Sequence, residues 1–236
     1  MPRYSYDLHL HSCLSPCAEP EMTPPNIVNM AVLKGLNLIA LTDHNSARNV
    51  AATVRAAAGL PLTVIPGMEL CTAEEIHIVC LFPTVAAAEA AGREAERCLP
   101  PIDNRPEIFG DQEVRDEQEQ LTGTVDRLLI NATSLSIDDL PEFMARYGGV
   151  CYPAHIDKSS NSILATFGCL PPEPDFAAVE VAHPDRFSVK EHWLQDRVVI
   201  TSSDAHRLED ISEPEHFLEL ERCDFASLAA VLRRNG

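Results

Sequence analysis

The sequence predicts an α/β fold in which a mainly parallel sheet curls into a closed or nearly closed barrel. Three observations carry this expectation. Short apolar runs alternate with helical patterns along the chain, the mark of strand–helix units. The 236 residues suit one medium domain with room for one such barrel. Histidines and carboxylates recur at the ends of the expected strands, where barrels of this kind keep their chemistry.

Taken in order, residues 4–10 read as a first strand, with Asp7, His9 and His11 alternating on one face. Residues 24–34 read as a helix with prolines at its start and Gly35 behind it. Residues 37–42 are an apolar, buried strand, and 46–58 an Ala-rich helix closed by Gly59. Strands follow at 62–66 and 76–82, then a helix at 84–98. Residues 100–126 break the rhythm with Pro-Pro, Asn-Arg-Pro and a run of acids and amides. They read as an exposed insertion with a hairpin, long enough to serve as a lid. A helix at 137–147 ends at Gly148-Gly149, and strands are expected at 150–154, 177–182, 197–201 and 216–221. A helix at 224–234 completes a single domain spanning 1–236.

Bulk composition narrows the class. With 45% hydrophobic and 23% charged residues the chain reads as globular, and it lacks an apolar run long enough for a membrane span or a signal peptide, so a cytoplasmic location without membrane association is expected. The eight cysteines form no CxxC pair and read as reduced thiols. The formal net charge of −18 repels polyanions, so long nucleic acid is not expected as a partner, whereas a small phosphorylated substrate is compatible with a locally positive metal site.

The chemistry lies in the polar strand ends. His9 and His11 close the first strand, Thr42-Asp43-His44 the second, and Gly67-Met68-Glu69 follows the third. His77 lies in the fourth strand, Pro153-Ala154-His155 ends the fifth, and Asp204-Ala205-His206 follows the strand at 197–201. A lone buried histidine is more often a hydrogen-bonded core residue than a ligand. Six of nine histidines gathered at strand positions are a different matter, because core histidines have no reason to favour strand ends. Imidazole and carboxylate together suit Zn, Mn or Fe, and their number calls for two or three divalent ions. A water shared between such ions would lose its proton near neutral pH and act as nucleophile, with Glu69, Asp204 and His206 as the catalytic positions. Asp7 is placed to accept a hydrogen bond from a ligand imidazole.

These residues resemble the polymerase and histidinol phosphatase (PHP) family. Its signatures appear in order as Asp7-Leu8-His9-Leu10-His11-Ser12, Thr42-Asp43-His44-Asn45, Pro153-Ala154-His155 and Ser203-Asp204-Ala205-His206. The resemblance spans residues 5–206 and implies a distorted (β/α)7 barrel with a trinuclear centre. By position, His9, His11 and Asp204 would hold one ion, and Glu69 would bridge it to a second held by His77 and His155. His44 and His206 would hold the third with one residue from the loop after the first strand. Many members carry Asp or His there; this chain reads Ser15-Pro16-Cys17, so Cys17 would supply a thiolate.

The resemblance implies a metal-dependent phosphoesterase acting on a small phosphorylated metabolite or short nucleotide. Arg48, His183, Arg186 and Arg207 lie near strand ends and are the candidate substrate contacts. His192, His216 and Trp193 read as structural. Two alternatives stay open: a non-catalytic or redox-sensing metal module using Cys13 and Cys17, and an amidohydrolase-like C–N hydrolase. The second commonly needs a carboxylated lysine, a role for which Lys34, Lys158 and Lys190 are not placed by the pattern.

Overall fold

The computed structural model describes residues 1–185, 194 and 196–233. In chain order the strands are β1 (Arg3–Leu10), β2 (Leu38–Leu41), β3 (Thr63–Cys71), β4 (His77–Leu81), β5 (Glu113–Arg115), β6 (Leu121–Thr124), β7 (Val150–Pro153), β8 (Ala178–Glu180), β9 (Val198–Ile200) and β10 (Phe217–Glu219). The α-helices are α1 (Pro24–Leu33), α2 (Val50–Ala56), α3 (Val85–Arg97), α4 (Pro106–Phe109), α5 (Leu140–Tyr147), α6 (Ile163–Phe167) and α7 (Phe225–Leu232). No described helix is long and apolar enough to cross a membrane.

The sheet runs β10-β1-β2-β3-β4-β7. β1, β2 and β3 are parallel, as expected, but β4 runs antiparallel to both β3 and β7. The stretch 72–76 between β3 and β4 is too short for a parallel crossover, which needs a dozen residues or so. The two strands therefore form a hairpin, and β3 continues through Cys71, beyond its expected end at 66. β8 and β9 form a separate parallel pair, and the Leu10–Ala205 bridge ties the segment after β9 back to β1. The sheet is thus a curled, incompletely hydrogen-bonded barrel.

Alternation along the strands splits the apolar residues between two compartments. Tyr6, Leu8, Leu38, Ala40, Val79 and Tyr152 pack in one cluster with β8–β10 and α7. Ile39, Leu41, Met68, Leu70 and Ile78 pack in the other against α1, α3 and α5. Each fully buried Leu or Ile contributes roughly 1.5–3 kcal/mol relative to exposure. The helices start where the sequence indicates. The Thr23 side chain caps α1 ahead of its two prolines, and Thr84 caps α3. Gly148, at φ 66°, ends α5 in the left-handed conformation.

The segment 100–126 contains the expected hairpin, β5–β6, preceded by the short α4. The hairpin is fastened to the loop after β1. The Glu113 amide donates to the Cys13 carbonyl, and Asn49 bridges both, donating to the Glu113 carbonyl and accepting from the Arg115 amide. Leu14 is buried with Leu99, Val125 and Leu129.

Candidate metal centre

Six imidazoles and two carboxylates converge at one end of the curled sheet. The position of each follows from its element. His9 is the penultimate residue of β1, and His11 lies just beyond the strand, held by its amide to the Ala205 carbonyl. His44 follows β2 and forms an isolated parallel bridge with Glu69 in β3. His77 is the first residue of β4; because β4 is antiparallel, its start lies at the end where β2 and β7 finish. His155 follows β7, and Asp204 and His206 follow β9. Asn45, His155 and Asp204 all take positive φ, at 49°, 29° and 53°. Strained backbone of this kind persists where surrounding structure fixes it, and it collects at functional sites.

Glu69 is the hub. Its Oε1 lies 2.9 Å from His77 Nδ1, 3.1 Å from His9 Nε2 and 3.3 Å from His155 Nε2. Its Oε2 lies 2.9 Å from His44 Nδ1 and 3.5 Å from His11 Nε2. Asp204 Oδ1 lies 3.3 Å from His9 Nε2 and 3.2 Å from His11 Nε2. Yet both Glu69 oxygens, His9 Nε2, His11 Nε2 and His44 Nδ1 are buried without an aligned hydrogen bond. Orphaned buried polar atoms are costly, whereas nitrogens and oxygens about 3–3.5 Å apart suit ligands sharing an ion at ~2.0–2.2 Å. Among the described residues, three groups have ligand atoms within 4.8 Å of one another: His9–His11–Asp204, His44–Glu69–His77 and His11–His44–His206. The donor set therefore fits divalent metal. Cys17 adds its Sγ, 3.3 Å from His44 Nε2, and the Cys13 thiol is aimed instead at the Glu113 carbonyl, so the two cysteines are not a pair.

Electrostatics keep the hub ionised. Burial alone would push the Glu69 carboxyl upward, but the His77, His9 and His44 imidazoles outweigh it and hold it well below the usual range. His11 is lowered by burial and by His206 and His44, which leaves a neutral ring able to donate a lone pair. Burial raises the Cys17 thiol to about 12, so thiolate there requires a cation.

A second layer holds the rings. Glu180 at the end of β8 is fully buried, lies 3.0 Å from His9 Nδ1 and accepts from the His155 amide. The sequence reading missed it, because a lone Glu in an apolar run carries no motif. The role expected of Asp7 belongs to Glu180; Asp7 accepts instead from the Ser203 amide and hydroxyl and the Ser212 amide, bracing the loop that carries Asp204. The β1 register shifts between Asp7 and Leu10, so strict alternation does not extend from the histidines back to Asp7. Asp43 takes hydrogen bonds from the Ser12 amide and from the Ser12 and Ser15 hydroxyls, and Ser15 Oγ lies 3.0 Å from His11 Nδ1.

The expected substrate residues fare differently. Arg48 makes a two-pronged pair with Glu96 and lines a groove of about 780 Å³ with Arg93, Arg97 and Arg127. Arg207 pairs with Glu19 at 3.1 Å. Neither touches the cluster. His183 is exposed, on a loop whose amide donates to Asp157. Arg186, His192 and Trp193 lie outside the described residues. Lys158, to which the sequence reading gave no role, places its Nζ 2.5 Å from Asp204 Oδ2.

Comparison with known proteins places the chain by sequence and fold. Over 225 residues the chain is 25% identical to the 5'-3' exoribonuclease Rnm of Escherichia coli, covering 85% of this chain and 72% of that protein. The lesion-specific endonuclease PfuEndoQ from Pyrococcus furiosus shares the fold with a TM-score of 0.73 at 16% identity, over 100% of this chain and 57% of that one. An endonuclease Q complex with a 27-mer duplex substrate gives 0.70 at 17% identity, again over 100% and 57%. The chain thus spans little more than half the length of these structural neighbours. The expectation that long nucleic acid is excluded does not hold, since the proteins similar to this chain include nucleases, one of them seen on a duplex. Net charge sums the whole surface and does not set the field at one metal-bearing cleft. The PHP domain model matches residues 7–169, well over half of the sequence, and the chain belongs to that family of metal-dependent phosphoester hydrolases.

Proposed function

We propose that the chain holds two or three divalent ions, Zn, Mn or Fe, and hydrolyses nucleotide phosphoesters, from short nucleotides up to the ends of nucleic-acid strands. The single observation that carries this reading is the Glu69 carboxylate, whose two buried oxygens face five imidazole nitrogens without an aligned hydrogen bond. His9, His11 and Asp204 form one ligand group, His77 and His155 a second, and His44, His206 and Cys17 a third, with Glu69 shared between groups. Bound ions would polarise the phosphoryl oxygens and acidify a water at neutral pH. The chain's own contribution is orientation. Glu180 fixes the His9 ring, Ser15 and Asp43 fix His11, and the Asp7 brace fixes the Asp204 loop. Among the imidazoles and carboxylates Asp204 and His206 are the least buried, and Cys17 is exposed, so their side of the cluster is the one open to substrate. All eight cysteines are unpaired, which suits a reducing compartment, and we assign the cytoplasm on that ground.

The test is reconstitution with each metal, then assay against nucleoside monophosphates, a bis-aryl phosphodiester and 5'-labelled RNA. Cleavage is expected with at least one nucleotide substrate. In Glu69→Gln, hydrolysis should fall by about two orders of magnitude or more, with loss of at least one ion. Full metal loading with no cleavage of any mono- or diester would overturn the assignment.

A further inference from the structure

We propose that Lys158 is the phosphoryl-binding cation of this centre, released from Asp204 when the ions are in place and then available to a non-bridging oxygen of the substrate. The inference rests on the phosphoesterase reading and adds the residue that meets the substrate's charge. Among the described residues, Lys158 is the one Lys or Arg whose charged nitrogen contacts a member of the cluster. Of the other basic candidates among the described residues, Arg48 is engaged by Glu96 and Arg207 by Glu19.

Placement favours a mobile head on a fixed stem. The Lys158 amide donates to the His155 carbonyl, and the Ser162 hydroxyl donates to the Lys158 carbonyl, so the backbone is held. The side chain is 38% exposed, and it runs from the solvent side onto Asp204. Its four-carbon stem lets the ammonium swing without backbone movement. The cleft of about 400 Å³ beside Asp204 has no Lys or Arg in its lining, which includes Asp210, Glu213, Glu215 and His216. An anion arriving at the cluster needs a positive partner, and Lys158, in contact with Asp204, is placed to supply one. Lys158 sits on Asp204 Oδ2, while Oδ1 faces His9 and His11, so the ammonium and an ion at Oδ1 would share the charge of one carboxylate and repel each other.

Lys158→Met and Lys158→Gln test this, with Lys158→Arg as the conservative control. Phosphate affinity is measured by calorimetry on metal-loaded protein, using inorganic phosphate as the probe. Metal affinity is measured separately by competition with a chromophoric chelator. Loss of one charge-assisted hydrogen bond should weaken phosphate binding about ten- to hundredfold in both neutral variants. Metal affinity should be unchanged or tighter, and Lys158→Arg should restore most of the phosphate affinity. Phosphate binding that is unchanged in both metal-loaded neutral variants, or absent in the parent protein, would overturn the proposal. If phosphate binding responds as expected while no phosphoester is cleaved, the functional reading fails and the assignment of Lys158 stands.

Discussion

Cys17 is the proposed thiolate member of the third ligand group. Its Sγ sits 3.3 Å from His44 Nε2, close to the ~3.5 Å edge of a tetrahedron with one sulfur and one nitrogen ligand. Cobalt-substituted protein should therefore show thiolate-to-metal charge-transfer absorption in the near ultraviolet. Cys17→Ser should abolish that band and shift preference toward harder ions; an unchanged spectrum would remove Cys17 from the ligand set. Glu180 is the complementary case. Glu180→Gln keeps the shape but loses the charge that orients His9 and accepts from His155, so metal affinity should fall about 10–100-fold with the thermal transition nearly unmoved. Equal affinity in parent and variant would reduce Glu180 to a packing residue. The two residues also mark what the sequence discloses at this scale. The convergence of the candidate ligands is legible because imidazole and carboxylate recur at expected strand ends. Glu180 and Lys158 are not, because their partners are chosen by a barrel closure that brings β8 and the loop after β7 against β1.

At the level of elements, the loop after β2 is positioned from outside by α3. Gly92 is buried, and a Cβ added there would meet the Ala47 amide nitrogen at 2.8 Å and the Ala47 Cβ at 3.2 Å. The nearer contact is backbone, which has no rotamer to yield. Gly in a helix interior costs about 0.5–1 kcal/mol relative to Ala, so its presence in this Ala-rich helix marks a close approach rather than helix propensity. Gly92→Ala should gain that propensity and lose more to overpacking, a net destabilisation of about 1–3 kcal/mol. Three residues before Ala47 stands His44, so metal affinity should fall with stability; a variant as stable as the parent and equally metal-loaded would refute this account. Most helices and strands were legible from apolar period and caps, as with Thr84 ahead of α3 and Gly148 behind α5. The mainly parallel sheet expected from the sequence gives way at β4, because β3 runs on to Cys71 and leaves only 72–76 to turn the chain back. That reversal explains how His77, at the start of its strand rather than the end, still reaches Glu69.

For the molecule as a whole, the charge of −18 remains to be reconciled with relatives that cleave nucleic acid. A protein that docks nucleic acid on a basic track loses affinity as salt rises, because bound counterions are released. This chain presents the opposite far field. An approaching polyanion is repelled at long range and attracted only near the metal-bearing cleft and Lys158, a distance over which screening is weak. The Debye length shrinks from about 30 Å at 0.01 M salt to about 10 Å at 0.1 M, so moderate salt should remove the repulsion while sparing the short-range contacts. The kcat/KM for an RNA oligomer is therefore expected to rise between those two salt concentrations. For a nucleoside monophosphate, with far less charge to repel, the change should be much smaller. A steep fall for RNA over the same range would instead show that the polymer is held on cations away from the centre, and the groove of Arg48, Arg93, Arg97 and Arg127 would be the place to mutate. The measurement thus separates a site that captures strand ends by local charge from one that holds the strand along its length.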